Sequence, residues 1–168
     1  MTLLGGASGF GKAIATRFAQ EGCSVLVADL NDSGAESVAS SLDAGKKVAS
    51  MRMDVTQESH WDEAVKKAVD AWGRLDIVIN NAGTTYKNKP TLEVTSQEFD
   101  RVFLVNVKSI YLSVQAVIPQ MQKGQGGCII NISSIGSVRP RPGLVWYNAS
   151  KGAVTNVGQP HLSSVFIS

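Results

Sequence analysis

Residues 3–15 read LLGGASGFGKAIA, a short apolar run followed by a glycine-rich turn and a segment of helical period. Gly5, Gly9 and Gly11 stand at the spacing G-x-x-x-G-x-G. Glycine lets a strand turn tightly into a helix, and it lets the backbone approach a diphosphate without an intervening Cβ atom. The N–H groups and positive dipole end of the helix then attract the anion. The segment predicts a nucleotide-binding turn; a turn that holds no ligand is the alternative.

Outward from this turn, short apolar runs alternate with segments of helical period. The apolar runs predict about five strands, at residues 3–4, 23–29, 48–54, 75–80 and 127–134. Helices are predicted at residues 12–21, 33–42, 61–72, 95 to about 122, and from 146 onward. Thr95 and Glu98 form a capping box at the start of the fourth helix. This order predicts an α/β fold, a doubly wound, Rossmann-like parallel sheet with helices on both faces.

The composition is that of one globular domain. The chain has 168 residues, 43% of them hydrophobic and 18% charged, with a net charge of +2. That charge is too small to favour a nucleic acid as partner. We expect no stretch long enough to span a membrane and no signal peptide, and therefore a cytoplasmic location. His60 and His161 have no partners at metal-ligand spacing, so no metal site is predicted.

The position of Asp29 bears on whether the cofactor is NAD or NADP. It ends the second predicted strand, eighteen residues after Gly11. A carboxylate at this point accepts hydrogen bonds from both hydroxyls of an adenosine ribose and repels a 2′-phosphate. The residue therefore favours NAD over NADP. An aspartate that only closes a turn or caps a helix is the alternative.

The stretch YNASK places Tyr147 and Lys151 four residues apart, so both side chains lie on one helix face. A nearby ammonium stabilises a phenolate, which makes the phenol a usable acid or base at a carbinol or carbonyl oxygen. Ser134, thirteen residues before Tyr147, ends the fifth predicted strand, at the sheet edge where ligands bind. Its hydroxyl would hydrogen-bond the same substrate oxygen. Taken alone, such a Tyr–Lys pair is common on helices and carries no chemistry.

In this order and at these spacings, the segments resemble the short-chain dehydrogenase/reductase family, from Leu3 to about Val157. The resemblance implies an oxidoreductase that moves hydride between a nicotinamide cofactor and a secondary alcohol or ketone. It implies that the catalytic residues are Asn106, Ser134, Tyr147 and Lys151. It implies that the cofactor is bound by Gly5, Ser8, Gly9, Phe10, Gly11, Asp29, Asp54, Val55, Asn81, Ala82, Gly83, Tyr147 and Lys151.

The resemblance also implies a role for each group. Tyr147 is the acid and base, Ser134 orients the substrate oxygen, and Lys151 holds the nicotinamide ribose. Asn106 kinks its helix and holds a water that passes protons to the lysine. The Asp54–Val55 pair contacts the adenine ring, although a turn acid at the strand end is the alternative for Asp54. The NNAG stretch at 80–83 stabilises the sheet and lines the cofactor cleft.

The family normally continues past the Tyr–Lys helix with a sixth strand, a mobile substrate loop and a seventh strand. Residues 158–168, GQPHLSSVFIS, diverge from that pattern. We therefore expect an incomplete NAD(P)-binding domain at 1–157, a divergent tail at 158–168, and a fifth strand that forms the sheet edge. The family's Tyr–Lys helix builds dimer interfaces, so a homo-oligomer is implied, weakened by the missing elements.

Two questions about partners stay open at this point. The chain either turns over a small alcohol or ketone, or is an inactive nucleotide-binding fragment, which could be an interaction partner of a full-length relative. Arg139 and Arg141 precede Tyr147 in SVRPRPG. They either attract an acidic substrate or are solvated loop residues.

Overall fold

The computed structural model describes residues 2–42, 47–157 and 165–167. In this part of the chain, six strands form one parallel sheet in the order β3-β2-β1-β4-β5-β6. They are β1 (Thr2–Leu4), β2 (Val25–Asp29), β3 (Val48–Arg52), β4 (Ile77–Asn80), β5 (Cys128–Ile132) and β6 (Val165–Ile167). The strand order reverses between β1 and β4, where doubly wound sheets bind their ligands. The predicted fold class is confirmed.

Six α-helices connect the described strands, close to the predicted positions. They are α1 (Gly9–Gln20), α2 (Asp32–Ser41), α3 (Glu58–Trp72), α4 (Ser96–Phe103), α5 (Ser109–Lys123) and α6 (Val145–Asn156). The capping box of Thr95 and Glu98 is present at the start of α4. One π-helical turn, Leu104–Lys108, joins α4 to α5 and interrupts the long predicted helix at Asn106, where the resemblance implied a kink.

The core lies on both faces of the sheet. Residues 25–28 of β2 are fully buried, with side chains alternating between the two faces. Leu26 and Ala28 pack in the layer of α3 and α5 with Trp61, whereas Val25 and Val27 pack in the layer of α1 and α2. Burial on both faces explains why the strand reads as a continuous apolar run.

β5 is not the edge of the sheet, and that expectation is wrong. β6 pairs with it in parallel, with Ile130 opposite Val165 and Ile132 opposite Ile167. The unpaired backbone groups of a strand are a template for another strand, and the β-branched and aromatic sequence VFI suits that pairing. Residues 158–164 and 168 of the predicted tail lie outside the described residues, and the domain boundary at 157 stays a prediction.

The helical stretch Ser96–Lys123 is long and apolar enough to cross a membrane, by length and composition only. The expectation that no segment reaches that length is therefore wrong. In the fold, however, Leu112, Val117 and Met121 of α5 are buried in the core layer with α3. A core helix passes the same test, so the stretch is weak evidence for a membrane span.

Two strands end earlier than predicted. β3 ends at Arg52 and β5 at Ile132, so Asp54 and Ser134 each lie two residues beyond a strand instead of ending it. Strand ends assigned from sequence and from hydrogen bonds commonly differ by this amount. The carboxyl ends of both strands still deliver the two side chains to the same edge of the sheet.

Candidate active site and cofactor cleft

Backbone contacts close the glycine turn between β1 and α1. The Gly5 N–H donates to the Ala28 carbonyl at 2.8 Å, and Asn81 Nδ2 donates to the Gly5 carbonyl at 2.9 Å. Gly5 has a φ of +70°, which favours glycine. A Cβ atom on Gly11 would lie 1.8 Å from the Gly5 carbonyl oxygen, so only glycine fits there. The turn is thereby tied to the ends of β2 and β4.

The N-terminus of α1 is left open by its cap residue. Ser8 occupies the N-cap position, but its side chain makes no capping hydrogen bond. By contrast, Asn31 caps α2 and Thr95 caps α4 through their side chains. A Cβ atom on Gly9 would meet nothing within 4 Å. The first N–H groups of α1 are thus available to an anion.

Asp29 has two backbone partners. Its Oδ2 accepts from the Ala7 N–H and its Oδ1 from the Asn31 N–H, both at 3.0 Å. The turn role that was the alternative interpretation is therefore present in the structure. Each carboxylate oxygen accepts more than one hydrogen bond, so capacity for a ribose remains. The contact with the ribose stays a prediction.

Asp54 also closes a turn. Its Oδ1 accepts from the Thr56 N–H at 2.9 Å and from the Thr56 hydroxyl at 2.7 Å. Burial raises the pKa of Asp54, but these hydrogen bonds and the charge of Arg52 outweigh it, so the pKa lies below its usual value. His60 Nδ1 accepts from the Asp54 N–H at 3.0 Å.

No group of three potential metal ligands forms among the described residues, and the absence of a metal stays a prediction.

A cleft of about 600 Å³ runs along the carboxyl edge of the sheet. It brings together most of the residues predicted to bind the cofactor: Gly5, Ser8, Gly9, Phe10, Asp29, Asp54, Val55, Asn81, Ala82 and Gly83. Gly11 does not line the cleft, because it packs beneath the turn against Gly5. Tyr147 and Lys151 lie farther along, in a second cleft.

The second cleft, of about 830 Å³, holds three of the four residues predicted to be catalytic, namely Ser134, Tyr147 and Lys151. It shares lining residues with the first cleft: Phe10, Asn81, Gly83 and Thr84. The two clefts are therefore one continuous groove with the glycine turn at one end and the Ser–Tyr–Lys group at the other. Phe10 is 80% exposed and stands between them.

Lys151 is buried at the base of the groove, with only 5% of its surface exposed. Its Nζ donates to the Ile132 carbonyl at 2.8 Å. Burial lowers the pKa of Lys151 to about 8, because the protein interior disfavours the charged ammonium. Tyr147, one helical turn earlier on α6, makes no hydroxyl hydrogen bond within the described ranges. The Ser134 Oγ accepts from the Gly136 N–H at 3.1 Å, so its own O–H can still donate.

Asn106 lies behind this group, at the centre of the π-helical turn. Its Oδ1 accepts from the Thr84 N–H at 2.8 Å, and its Nδ2 donates to the Thr84 carbonyl at 2.9 Å and to the Ser150 Oγ at 3.0 Å. A Cβ atom on Gly83 would lie 3.4 Å from both Asn106 Oδ1 and Lys151 Nζ. The break in the long helix thus brings the asparagine amide near the lysine. The water relay through Asn106 stays a prediction.

The NNAG stretch contributes to both the sheet and the groove, and its contact with a cofactor stays a prediction. Asn80 Nδ2 donates to Asn131 Oδ1 at 2.8 Å in the buried interior, which joins β4 to β5. Asn81 holds the glycine turn and lines both parts of the groove. One asparagine therefore stabilises the sheet and the next one shapes the cleft.

Sequence reasoning missed the side chains that support the reactive group. The buried Ser133 hydroxyl donates to the Lys151 carbonyl at 3.0 Å and lies 2.7 Å from the Thr155 hydroxyl. Ser150 links Asn106 to the Tyr147 carbonyl. These partners lie 18 and 44 residues apart, so no local sequence pattern indicates the contacts. Ser133 and Ser150 themselves do lie inside the motifs NISS and YNASK.

The strand order, the open N-terminus of α1 and the groove at the carboxyl edge of the sheet define a doubly wound, Rossmann-like α/β fold. The family model described as short chain dehydrogenase matches residues 1–159, and the chain belongs to this family.

The similar proteins are longer than this chain. It is 49% identical over 154 residues to the 4-formylbenzenesulfonate dehydrogenase of Comamonas testosteroni, covering 91% of this chain and 61% of that protein. It is 42% identical over 151 residues to the cyclopentanol dehydrogenase of Comamonas sp. (strain NCIMB 9872), covering 89% and 60%. The crystal structure of 3-ketoacyl-(acyl-carrier-protein) reductase from Brucella melitensis, complexed with NADH, superposes with a TM-score of 0.87 at 40% identity, covering 93% and 65%. The chain therefore spans about 60% of the length of these curated relatives.

Proposed function

We propose that the protein is an NAD-dependent oxidoreductase that moves hydride between the nicotinamide and a secondary alcohol or ketone. The observation that carries the proposal is the continuous groove that holds the glycine turn and the Ser134, Tyr147 and Lys151 side chains. Relatives named as dehydrogenases and a structural neighbour complexed with NADH support it.

The residues of the groove fit a dinucleotide. An added Cβ atom on Gly9 would meet nothing within 4 Å, so this glycine leaves room for the diphosphate at the open N-terminus of α1. The Asp29 carboxylate faces the adenosine end, where it would bind the ribose hydroxyls and repel a 2′-phosphate. This favours NAD over NADP. The bound cofactor would supply the hydride donor or acceptor at the other end of the groove.

Proton transfer falls to Tyr147. In ketone reduction its hydroxyl donates the proton to the carbonyl oxygen, and in alcohol oxidation it takes the proton back. The ammonium of Lys151, one helical turn away, stabilises the phenolate that Tyr147 becomes when it has donated its proton. Since the pKa of Lys151 is about 8, the lysine is mostly charged at neutral pH. The charge that the tyrosine needs is therefore present under ordinary conditions.

Ser134 and Asn106 support the transfer in different ways. The free O–H of Ser134 donates to the same substrate oxygen and stabilises the charge that develops on it. Asn106 lies across Gly83 from the lysine, where it holds the segment at Thr84 in place and is the candidate for the proton relay. Ser134 therefore acts on the substrate, and Asn106 acts through Lys151.

A nucleotide-binding chain without turnover is the second candidate. The contacts that close the glycine turn involve none of the four reactive residues, so binding could persist without chemistry. Fluorescence titrations with NADH and NADPH, followed by a steady-state assay over a panel of ketones, separate the two candidates. We expect tighter binding of NADH and measurable reduction of at least one ketone.

Tyr147→Phe is the decisive variant. We expect kcat/KM to fall by about 100- to 10,000-fold with NADH affinity unchanged, because the ring keeps its packing and only the proton donor is lost. Tyr111→Phe is the matched control, since Tyr111 is 59% exposed on α5 and lines neither part of the groove. Binding without turnover, or equal activity in both variants, would rule out the oxidoreductase proposal.

A further inference from the structure

Arg141 lies on the loop that precedes α6 and lines the same part of the groove as Ser134 and Tyr147. Arg139, two residues earlier on that loop, lines neither part. Both arginines are exposed, so exposure does not distinguish them. Of the two arginines that the sequence offered as candidates for binding an acidic substrate, only Arg141 therefore lines the groove.

The charges along the groove change sign from one end to the other. Asp29, Asp54 and Arg101 line the part of the groove beside the glycine turn, where the adenosine of a dinucleotide would lie. The reactive part is lined by Arg141 and Lys151, and no carboxylate among the described residues lines it. A cleft lined by one sign of charge concentrates ligands of the opposite sign. The reactive end thus favours a substrate that carries a negative charge.

The loop that carries Arg141 is anchored from two sides. Asn148 Nδ2 on α6 donates to the Arg141 carbonyl at 2.9 Å, and Asn88 Nδ2 donates to the Pro142 carbonyl at 2.6 Å. Gly143 has a φ of +73°, and a Cβ atom there would lie 2.1 Å from Asn88 Oδ1. The backbone that presents the arginine is therefore fixed before any ligand binds, which reduces the entropy lost on binding.

Among the residues that the structure describes, the Arg141 guanidinium has no acidic partner. In the part of the chain that the structure describes, the ion pairs involve other residues, on α1, on α3, beside β4 and at the start of α4. A guanidinium presents a planar fork of donors that matches the paired oxygens of an anion. Its partner would therefore come from a ligand in the groove.

We propose that Arg141 is a specificity-determining residue that binds an anionic group, a carboxylate or a sulfonate, on the substrate. This rests on the proposed function, because Ser134 and Tyr147 in the same part of the groove would hold the carbonyl oxygen of that substrate. The preferred substrates are then ketones or alcohols that carry an acidic group apart from the reacting carbon.

The test compares 4-acetylbenzoate with its methyl ester, which differs in charge but keeps the ketone. Binding is measured by isothermal titration in the presence of NAD⁺, with which a ketone cannot react, and kcat/KM is measured with NADH. We expect the acid to bind at least about 10-fold more tightly than the ester, the effect of one hydrogen bond to a charged group. 4-Acetylbenzenesulfonate shows which of the two anions fits better.

Arg141→Gln should abolish the preference for the acid, and Arg141→Lys should keep part of it. Arg139→Gln is the matched control and should keep all of it. The substituted side chain is exposed and the backbone hydrogen bonds of the loop remain, so we expect thermal unfolding of Arg141→Gln to match that of the native chain.

The outcomes separate this proposal from the one on which it rests. If no ketone is reduced but the binding preference depends on Arg141, the oxidoreductase function fails and the anion site stands. If the ester binds as tightly as the acid, if neither binds, or if Arg139→Gln has the same effect as Arg141→Gln, the assignment of Arg141 is overturned.

Discussion

The glycine turn and the reactive group on α6 lie along one groove, but different atoms hold them in place. Backbone groups close the turn, with Gly5 joined to Ala28 and Gly11 packed against Gly5. Side chains hold the reactive group, through the hydroxyls of Ser133 and Ser150 and the amide of Asn106. One region therefore depends on the absence of Cβ atoms, and the other on polar atoms that are buried and satisfied.

This difference determines how each region responds to change. A backbone turn with no spare volume does not adjust to an added atom, so a small substitution there has a large effect. A network of side chains loses one hydrogen bond at a time, and each loss is modest when another donor remains. Buried charge is the exception, because Lys151 lies in an environment that disfavours its ammonium.

Gly11→Ala should have the largest effect on folding. Its Cβ would lie 1.8 Å from the Gly5 carbonyl oxygen and 2.8 Å from Asn81 Nδ2, so the turn must open. We expect a loss of more than about 3 kcal/mol in the free energy of unfolding, at the upper end for overpacking, and a loss of NADH binding. Urea unfolding and NADH fluorescence measure the two effects.

Gly152→Ala on α6 is the matched control for the glycine turn. A Cβ there would meet nothing within 4 Å, and alanine is the better helix former by about 0.5–1 kcal/mol. This variant should be as stable as the native chain or more so, and should bind NADH equally well. Equal stability of the two alanine variants would show that the turn is not closed as described.

Lys151 should make stability depend on pH at the alkaline end. Its pKa is about 8 in the folded chain against 10.5 for an unperturbed lysine, so between these pH values the unfolded chain binds more protons. Stability that is suppressed below pH 8 is therefore regained as the pH rises towards 10.5. The lowered pKa corresponds to a loss of about 3 kcal/mol in the free energy of unfolding while the lysine is charged.

The comparison with Lys151→Met isolates this effect, because the other groups of the chain titrate in both proteins. Urea unfolding at a series of pH values from 7 to 11 should show the native chain gaining stability relative to the variant. If the difference in stability between the two proteins stayed constant across that range, the Lys151 ammonium would be solvated, and its burial would not destabilise the fold. At every pH, Lys151→Met should lack catalytic activity.

The two regions also differed in how well the sequence predicted them. The glycine turn, the alternation of strands and helices and the position of YNASK follow from local patterns, because glycine spacing and apolar periodicity act over a few residues. Pairing of β5 with β6 was missed because the prediction relied on the family's length, although VFI at 165–167 is a strand-forming sequence. Local signals therefore sufficed for the fold up to the last strand.

The site was predicted less completely. The side chains that would meet cofactor or substrate were named from motifs, whereas their supports were not. Thr84 is 22 residues from Asn106, and Ser133 is 22 residues from Thr155, and only the fold brings these partners together. The buried state of Lys151 was also not foreseen, since burial depends on how α6 packs against β5.

Ser133→Ala should have the smallest effect and tests whether the supports are separate from the chemistry. The Ser133 and Thr155 hydroxyls each lie 3.0 Å from the Lys151 carbonyl oxygen and 2.7 Å from each other, so either one can donate to that carbonyl. Because one donor remains, we expect a loss of about 1 kcal/mol in the free energy of unfolding and less than about a 10-fold fall in kcat/KM.

A double-mutant cycle of Ser133→Ala and Thr155→Val sharpens this test. The two hydroxyls lie 2.7 Å apart and share one acceptor, so their effects on stability should not add. The double variant would leave the Lys151 carbonyl without either hydroxyl donor, and we expect a coupling energy of about 0.5–1 kcal/mol from urea unfolding. If Ser133→Ala instead reduced kcat/KM as far as Tyr147→Phe without changing stability, Ser133 rather than Ser134 would be the residue that meets the substrate.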